Sequence, residues 1–461
     1  MKKKEAIFKM KIHIISSSLR MNSGFSVVSR NIANGLKKLG HEITYTGLQT
    51  AYISEYNYGI EVIPAQTFHI DDVTQVLITI DKIKPDLVLA VIQMDADFND
   101  FARIFPKTVV YTPVEGKNIP QKMANDLLYI KMNKGEVVSQ CKYGQEEIQL
   151  ALAGLSIPCI YHGFDNKIFR PINVQNPEEI RYCYYCTENG KLNSYPLMLH
   201  KNGCYDCQLN NKEQVKCPHH KEEYVSVLKF TNGRWTEESI PITLLPSITK
   251  GKFVFGFIGQ NLGVRKRIER LLTAYSIFIK DSRQLKDRSL LHLHTMPITV
   301  NGTDLIKVIR DLGIQDNVIF SYGTYRSSGW TDSAMNILYN TFDINASASS
   351  SEGFCLPVME GFATGLPIIA PDCSSFTELI GDGEKDHNAR GLLASIGEWQ
   401  MIENGSMRAL VNETHLAMMM KKLYTDEKLR EKFSKNAIKF SHNYTWNDIC
   451  QQWDKLLRST E

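Results

Sequence analysis

The sequence predicts an α/β protein of two parallel-sheet domains facing across a cleft, with a small cysteine-rich module inserted between them. Three observations carry this. Short β-branched runs alternate with helical periodicity from Lys11 to Tyr161. The alternation stops after Pro171, and five of the ten cysteines then fall between Cys183 and Cys217. It resumes at Lys252. Such alternation favours a parallel sheet covered by helices on both faces.

The N-terminal domain is expected over 1–175. Lys11–Ser16 reads as a strand, and a polar loop bearing Gly24 follows it. Val27, Val28, Ile32, Leu36 and Leu39 then recur at helical spacing, and Gly40 closes the helix. Glu42–Thr46, Asp86–Val91, Thr108–Thr112, Glu136–Ser139 and Ile157–Tyr161 read as strands, with a helix over Lys142–Ala153. The inserted module is expected over 180–247, where Val225–Phe230 and Ser239–Leu244 look antiparallel around Gly233. The C-terminal domain is expected over 250–440. It opens with strand Phe253–Gly259, a basic loop, and a helix carrying Ile268, Leu271, Leu272, Tyr275 and Phe278. Leu290–His294, Val318–Phe320, Phe342–Ala346 and Ile368–Ile369 are further strands, and residues 415–461 are mostly helical. In open α/β sheets a ligand site lies at the C-terminal ends of the strands.

The 461 residues correspond to about three domains' worth of chain. Lys plus Arg is 53 against 50 Asp plus Glu, a net charge of +3, which points to no polyanionic partner. Nucleic acid is therefore not the expected ligand. No apolar run reaches the roughly 18 residues of a membrane span. Basic Met1–Lys4 is followed by no apolar h-region, so it does not read as a secretory signal. A cytoplasmic location is expected, with peripheral membrane contact left open.

The most informative stretch is Ser349–Pro371, SSSEGFCLPVMEGFATGLPIIAP. It follows a strand. Glu352 and Gly353 open a tight loop, Pro357 suits the first turn of a helix, Glu360 lies inside that helix and Gly365 closes it. The helix start and the amides of Phe354, Cys355 and Leu356 would face an anion. Two carboxylates flank it, and a carboxylate can accept hydrogen bonds from two vicinal hydroxyls at once. A surface helix with two solvated glutamates is the plainer alternative, which the Gly and Pro punctuation opposes.

This stretch resembles the Glu-x7-Glu signature of the retaining GT-B glycosyltransferases, family 4 in particular. Members read Ser-x-x-Glu-Gly-Phe-Gly-Leu-Pro-x-x-Glu-Ala-x-Ala-x-Gly-x-Pro. Ser349, Glu352, Gly353, Phe354, Leu356, Pro357, Glu360, Ala363, Gly365 and Pro367 match, while Cys355 stands for Gly and Gly361 for Ala. The resemblance implies two Rossmann-like domains, with a final helix over 441–461 crossing back to the first domain, where Trp446 and Trp453 would anchor it. It implies that Glu352 holds donor-sugar hydroxyls and Glu360 ribose hydroxyls. It also points to Glu378 as a recurring acid, with a helix N-terminal carboxylate as the alternative.

The basic loop after Phe253–Gly259 reads Gly259, Gln260, Asn261, Leu262, Gly263, Val264, Arg265, Lys266, Arg267. Departing diphosphate needs cationic partners, and their stabilisation is a large catalytic contribution. Lys266 fits the family Lys. Gln260 stands where members carry Arg, so Arg265 is expected to serve in its place. The loop bearing Gly24 resembles the glycine loop that approaches the donor phosphates. Tyr161–Asp165 with Phe169–Pro171 resembles the segment closing the first domain, and it places His162 at the domain junction on the acceptor side. Glu115, after strand Thr108–Thr112, stands near where relatives carry a His lining the acceptor side; a structural turn residue is the alternative. Asp95 and Asp97, after another strand end, invite the same two readings.

Cys183 with Cys186 and Cys204 with Cys207 are two C-x2-C pairs seventeen residues apart, the spacing of a structural zinc ribbon. Cys217, His219 and His220 lie near enough to replace a ligand. A closed tetrahedral site has no open position, so this zinc is assigned to folding; no catalytic metal is expected. The functional expectation is a sugar transferred from a nucleotide-diphosphate sugar to an unidentified acceptor hydroxyl (of a glycan, lipid or protein). The alternative is a nucleic-acid- or protein-binding zinc-ribbon protein on an inactive scaffold.

Overall fold

The computed structural model describes residues 9–19, 23–48, 55–57, 59–65, 70–93, 107–174, 187–188, 191–192, 224–322, 330–381, 383 and 386–460. Strands β1 (Lys11–Ser17), β2 (Glu42–Leu48), β3 (Glu55–Asn57), β4 (Ile60–Ala65), β5 (Leu87–Val91), β6 (Thr108–Thr112) and β7 (Glu136–Ser139) form one sheet, ordered β3-β4-β2-β1-β5-β6-β7. All its pairings are parallel except β3 with β4. Every residue of β5 and β6 is buried, as continuous apolar strands covered on both faces should be. Helices α1 (Gly24–Lys38) and α2 (Lys142–Ala151) belong to this domain. A separate short pairing joins β8 (Thr187–Glu188) to β9 (Lys191–Leu192).

The second sheet comprises β10 (Tyr224–Thr231), β11 (Arg234–Pro241), β12 (Phe253–Ile258), β13 (Ser289–His294), β14 (Val318–Tyr322), β15 (Ile344–Ala346), β16 (Ile368–Pro371) and β17 (Gly391–Ala394). Its order is β11-β10-β14-β13-β12-β15-β16-β17, parallel from β14 onward. A hairpin of β18 (Ile396–Met401) and β19 (Met407–Val411) follows. The helices that matter for the site are α3 (Ile268–Lys280), α4 (Asp332–Asn340), α5 (Leu356–Ala363), α6 (Ser375–Ile380) and α7 (Trp446–Ser459).

Two sequence expectations are corrected here. Ile157–Tyr161 makes one isolated bridge, Ser139 to Cys159, and not a strand. The hairpin assigned to the inserted module belongs to the second sheet: β10 pairs antiparallel with β14 from Ser226–Tyr322 to Lys229–Ile319. Its second strand starts at Arg234, not Ser239. Asn232 and Gly233 both have positive φ (52° and 77°), which makes a two-residue turn that pairs Thr231 directly with Arg234. Residues 242–244 form a single 3₁₀ turn that buries Ile242. Cys183, Cys186, Cys204, Cys207, Cys217, His219, His220, Asp95 and Asp97 lie outside the described residues.

The last helix returns to the first domain. Trp453 is fully buried and meets Tyr111 edge-on at 4.8 Å, while Ile449 and Leu457 join the core of β1, α1 and β5. A Cβ on Gly35 would lie 2.1 Å from Cys450 Sγ, so α1 and α7 approach this closely only because position 35 lacks a side chain. Trp446 seats on Gly163 in the same way, where a Cβ would fall 2.7 Å from its backbone nitrogen. The domains are thereby joined at residues 163–172 and 444–446. No helix among the described residues is long and apolar enough to cross a membrane.

Candidate functional site

The site forms where β12 and β15 end. β12 delivers the basic loop, and the segment after β15 runs through Glu352 into α5. The two loops are stitched together, with Ser350 N–H donating to the Arg265 carbonyl at 2.9 Å. Glu352 is 5% exposed. Its carboxylate accepts hydrogen bonds from Arg265 Nη1 at 2.6 Å, Lys266 Nζ at 2.5 Å and Ser349 Oγ at 2.6 Å. Burial alone would raise its pKa, but Arg265, Lys266 and these bonds outweigh burial and hold it at about 2. Glu352 is therefore ionised throughout the working range.

The charges continue into the first domain. Arg265 Nε lies 3.4 Å from Glu115 Oε1, and Arg408 Nη2 lies 3.4 Å from Glu115 Oε2. Lys266, Glu352, Arg265, Glu115 and Arg408 thus form a chain of alternating sign across the domain gap. Burial works against the Arg265 charge, yet Glu352 and Glu115 raise its pKa above the ordinary value. Glu115, expected on the acceptor side, is an interdomain ion-pair partner.

Helix α5 starts without a side-chain cap, with Pro357 in its first turn and Cys355 in the left-handed region at φ 78°. An L-residue there costs roughly 1–2 kcal/mol, which explains the glycine that the family motif carries at this position. Cys355→Gly is expected to raise stability by about 0.5–1 kcal/mol after the added unfolded-state entropy is deducted, as read from the midpoint of denaturant unfolding. The start of α1 faces this point: a Cβ on Gly24 would touch Leu356 Cδ1 at 4.0 Å. Gly353 is closer still to the first domain, because a Cβ there would fall 2.2 Å from Pro113 Cβ. A Cβ on Gly259 would fall 2.9 Å from the Phe257 ring and 3.5 Å from Lys266 Cε. Gln260 is exposed.

Glu360 lies on α5 and accepts a hydrogen bond from Tyr339 Oη at 2.7 Å. Burial and, less strongly, Asp332 push its pKa up to about 7, against the Tyr339 bond. The folded protein holds a proton here that the unfolded chain releases. Its contribution to stability therefore declines as pH rises from the ordinary carboxylate range through about 7.

Two expected residues turn out to hold the domains together. The His162 ring is 4.5 Å from Phe354 and 5.5 Å from Tyr111, with neither nitrogen partnered or open to solvent. Burial lowers its pKa to about 3, so it stays neutral. It packs at the domain junction, between Phe354 of one domain and Tyr111 of the other. Glu378, in the first turn of α6, accepts from the backbone N–H groups of Lys142 (3.1 Å) and Tyr143 (3.0 Å) at the start of α2, and from the Tyr161 hydroxyl. It is a helix N-terminal carboxylate, but it also caps a helix of the other domain.

Sequence reasoning missed the β18–β19 hairpin. Lys117 and Met407 exchange two backbone hydrogen bonds at 2.9 Å, and Lys117 Nζ sits 4.2 Å from the centre of the Trp399 ring. Gly116, at φ 127°, leaves space for Met407 O, which a Cβ would meet at 2.6 Å. Gln400 binds Arg267 and Glu398 lies 3.5 Å from Arg270, so the hairpin also braces the basic loop. The detectable signal was Asn404–Gly405, a turn pair between short alternating runs.

Residues 246–440 match the family model Glycosyl transferases group 1. They are a glycosyl transferases group 1 domain. The structure of Anabaena Alr3699/HepE in complex with UDP-glucose superposes with a TM-score of 0.62 at 15% identity, covering 98% of this chain and all of that one. Structural likeness of this kind extends the GT-B fold beyond the group 1 domain to the described residues of the N-terminal half. MMP alpha-(1->4)-mannosyltransferase of Mycolicibacterium hassiacum is 37% identical over 79 residues, 17% of this chain and 18% of that protein. Poly(glycerol-phosphate) alpha-glucosyltransferase of Bacillus subtilis is 24% identical over 197 residues, 42% of this chain and 24% of that protein. The matches thus span a quarter or less of these curated relatives. The Glu352 cluster and α5 both lie within the group 1 domain, and Glu115 reaches them from outside it.

Proposed function

We propose that the protein is a retaining GT-B glycosyltransferase that moves a sugar, of hexose type, from a nucleotide-diphosphate sugar to an acceptor hydroxyl. The observation that carries this reading is buried, ionised Glu352, gripped by Lys266 and Arg265 immediately before the uncapped start of α5. The group 1 match supports it, as do relatives named as mannosyl- and glucosyltransferases and a structural neighbour holding UDP-glucose.

In this reading the diphosphate lies against the α5 N-terminus, Lys266 and Arg265. Glu352 holds sugar hydroxyls, and Glu360 holds the ribose. The acceptor oxygen bonds to the anomeric carbon as the bond from that carbon to the phosphate oxygen breaks. The electron pair leaves with the nucleoside diphosphate, whose oxygen takes the hydroxyl proton. Retention is proposed from the resemblance and corresponds to attack on the face the phosphate leaves.

Screening UDP-, GDP- and ADP-sugars for thermal stabilisation, then for release of the nucleoside diphosphate, tests the proposal. At least one sugar nucleotide should do both; stabilisation by none would overturn it. We also propose that Cys183, Cys186, Cys204 and Cys207 hold structural zinc. Metal analysis of the purified full chain should find about one zinc per chain. A folded chain free of zinc would refute that assignment.

A further inference from the structure

The alternating chain contains three cations, Lys266, Arg265 and Arg408, against two carboxylates, Glu352 and Glu115. Arg267 is accounted for separately by Glu269 at 3.7 Å. Among the described residues one positive charge is left over in this half-buried cluster, where uncompensated charge is costly. Arg408 is its loosest member. Both ion pairs of Glu115 are long, at 3.4 Å, whereas those of Glu352 are 2.5 and 2.6 Å. Arg408 Nε is buried and has no acceptor among the described residues. A guanidinium with a spare N–H, in a cluster short of one negative charge, is suited to an arriving phosphate oxygen. The basic loop offers exposed Gln260 at its start, where the motif it resembles carries Arg.

We propose that Arg408, presented by the β18–β19 hairpin, is a further cationic ligand of the donor's diphosphate and exchanges Glu115 for phosphate when the nucleotide binds. This rests on the nucleotide-sugar reading above. The donor then breaks one link of the interdomain ion-pair chain and leaves Glu115 paired with Arg265 alone.

The test is calorimetric titration of the full chain with UDP, GDP and ADP, then with the monophosphate of whichever binds best. Arg408→Gln should weaken the diphosphate by about tenfold or more while changing the monophosphate less than about threefold, with Arg408→Lys recovering part of the loss. Glu115→Gln removes the competitor and should leave diphosphate binding unchanged or tighter. Unaltered diphosphate affinity in Arg408→Gln would overturn the proposal. So would an equal loss for both nucleotides, or a loss in Glu115→Gln matching that of Arg408→Gln, which marks a purely structural bridge. Wild-type protein that binds none of the three diphosphates would instead defeat the nucleotide-sugar reading itself.

Discussion

Lys266→Ala is expected to lower nucleoside-diphosphate release from the donor by at least about 100-fold, the scale on which removing a preorganised charge partner acts. Lys266 is 15% exposed at its side chain and bonds Glu352 at 2.5 Å. In the proposed reading its loss removes a cation from the leaving group and loosens the carboxylate assigned to the sugar. Glu352→Gln should reduce turnover as strongly, since the amide keeps the shape but loses the charge that orders Arg265 and Lys266. Glu352→Ala adds a second effect. It strips both cations of a buried partner, a change that costs about 3–5 kcal/mol in comparable buried pairs. Thermal melts of the two Glu352 variants separate these effects: the Gln variant should melt nearer to wild type.

The second large effect is steric. Gly353→Ala places a methyl 2.2 Å from Pro113 Cβ, a separation that no relaxed structure holds. Pro113 is backed by Glu115–Lys117, which are tied to the hairpin through Met407, so the first domain has little freedom to yield. The loop ahead of α5 must shift instead, taking with it the amides proposed to face the donor. Displacements near 1 Å in such positions cost about 100-fold in rate. Gly353→Ala should therefore lose about 100-fold in turnover while costing roughly 1–3 kcal/mol in stability. Activity near wild type would mean that the cleft is looser than its packing indicates.

Much of this was legible in the sequence because the responsible signals are local. Buried parallel strands such as β5 and β6 are continuous apolar runs, and Gly40, Pro357 and Gly365 punctuate helices where backbone geometry requires them. The start of β11, Arg234–Glu238, was not legible. It is an edge strand with a largely exposed face, so its polar residues hide the pattern that pairing imposes. Ile157–Tyr161 failed for the opposite reason: Ile157 and Ile160 pack into the first domain's cores, while the segment forms an isolated bridge and no ladder.

The site divides in the same way. Ser349, Glu352, Glu360, Arg265 and Lys266 sit in two short motifs, and the structure brings Glu352 to both cations and to Ser349. Glu115 and Arg408 meet only through the pairing of Lys117 with Met407, a contact between distant parts of the chain that no local spacing encodes. The resemblance of its segment placed His162 at the domain junction on the acceptor side. Its burial between Phe354 and Tyr111 is set by tertiary packing, which no local spacing encodes.

The most direct measurement compares wild type and Lys266→Ala for nucleoside-diphosphate release from the sugar nucleotide that best stabilises the full chain, with unfolding midpoints recorded for both. The account predicts release by wild type and its near-complete loss in a variant that remains folded. Equal release by the two proteins would contradict it.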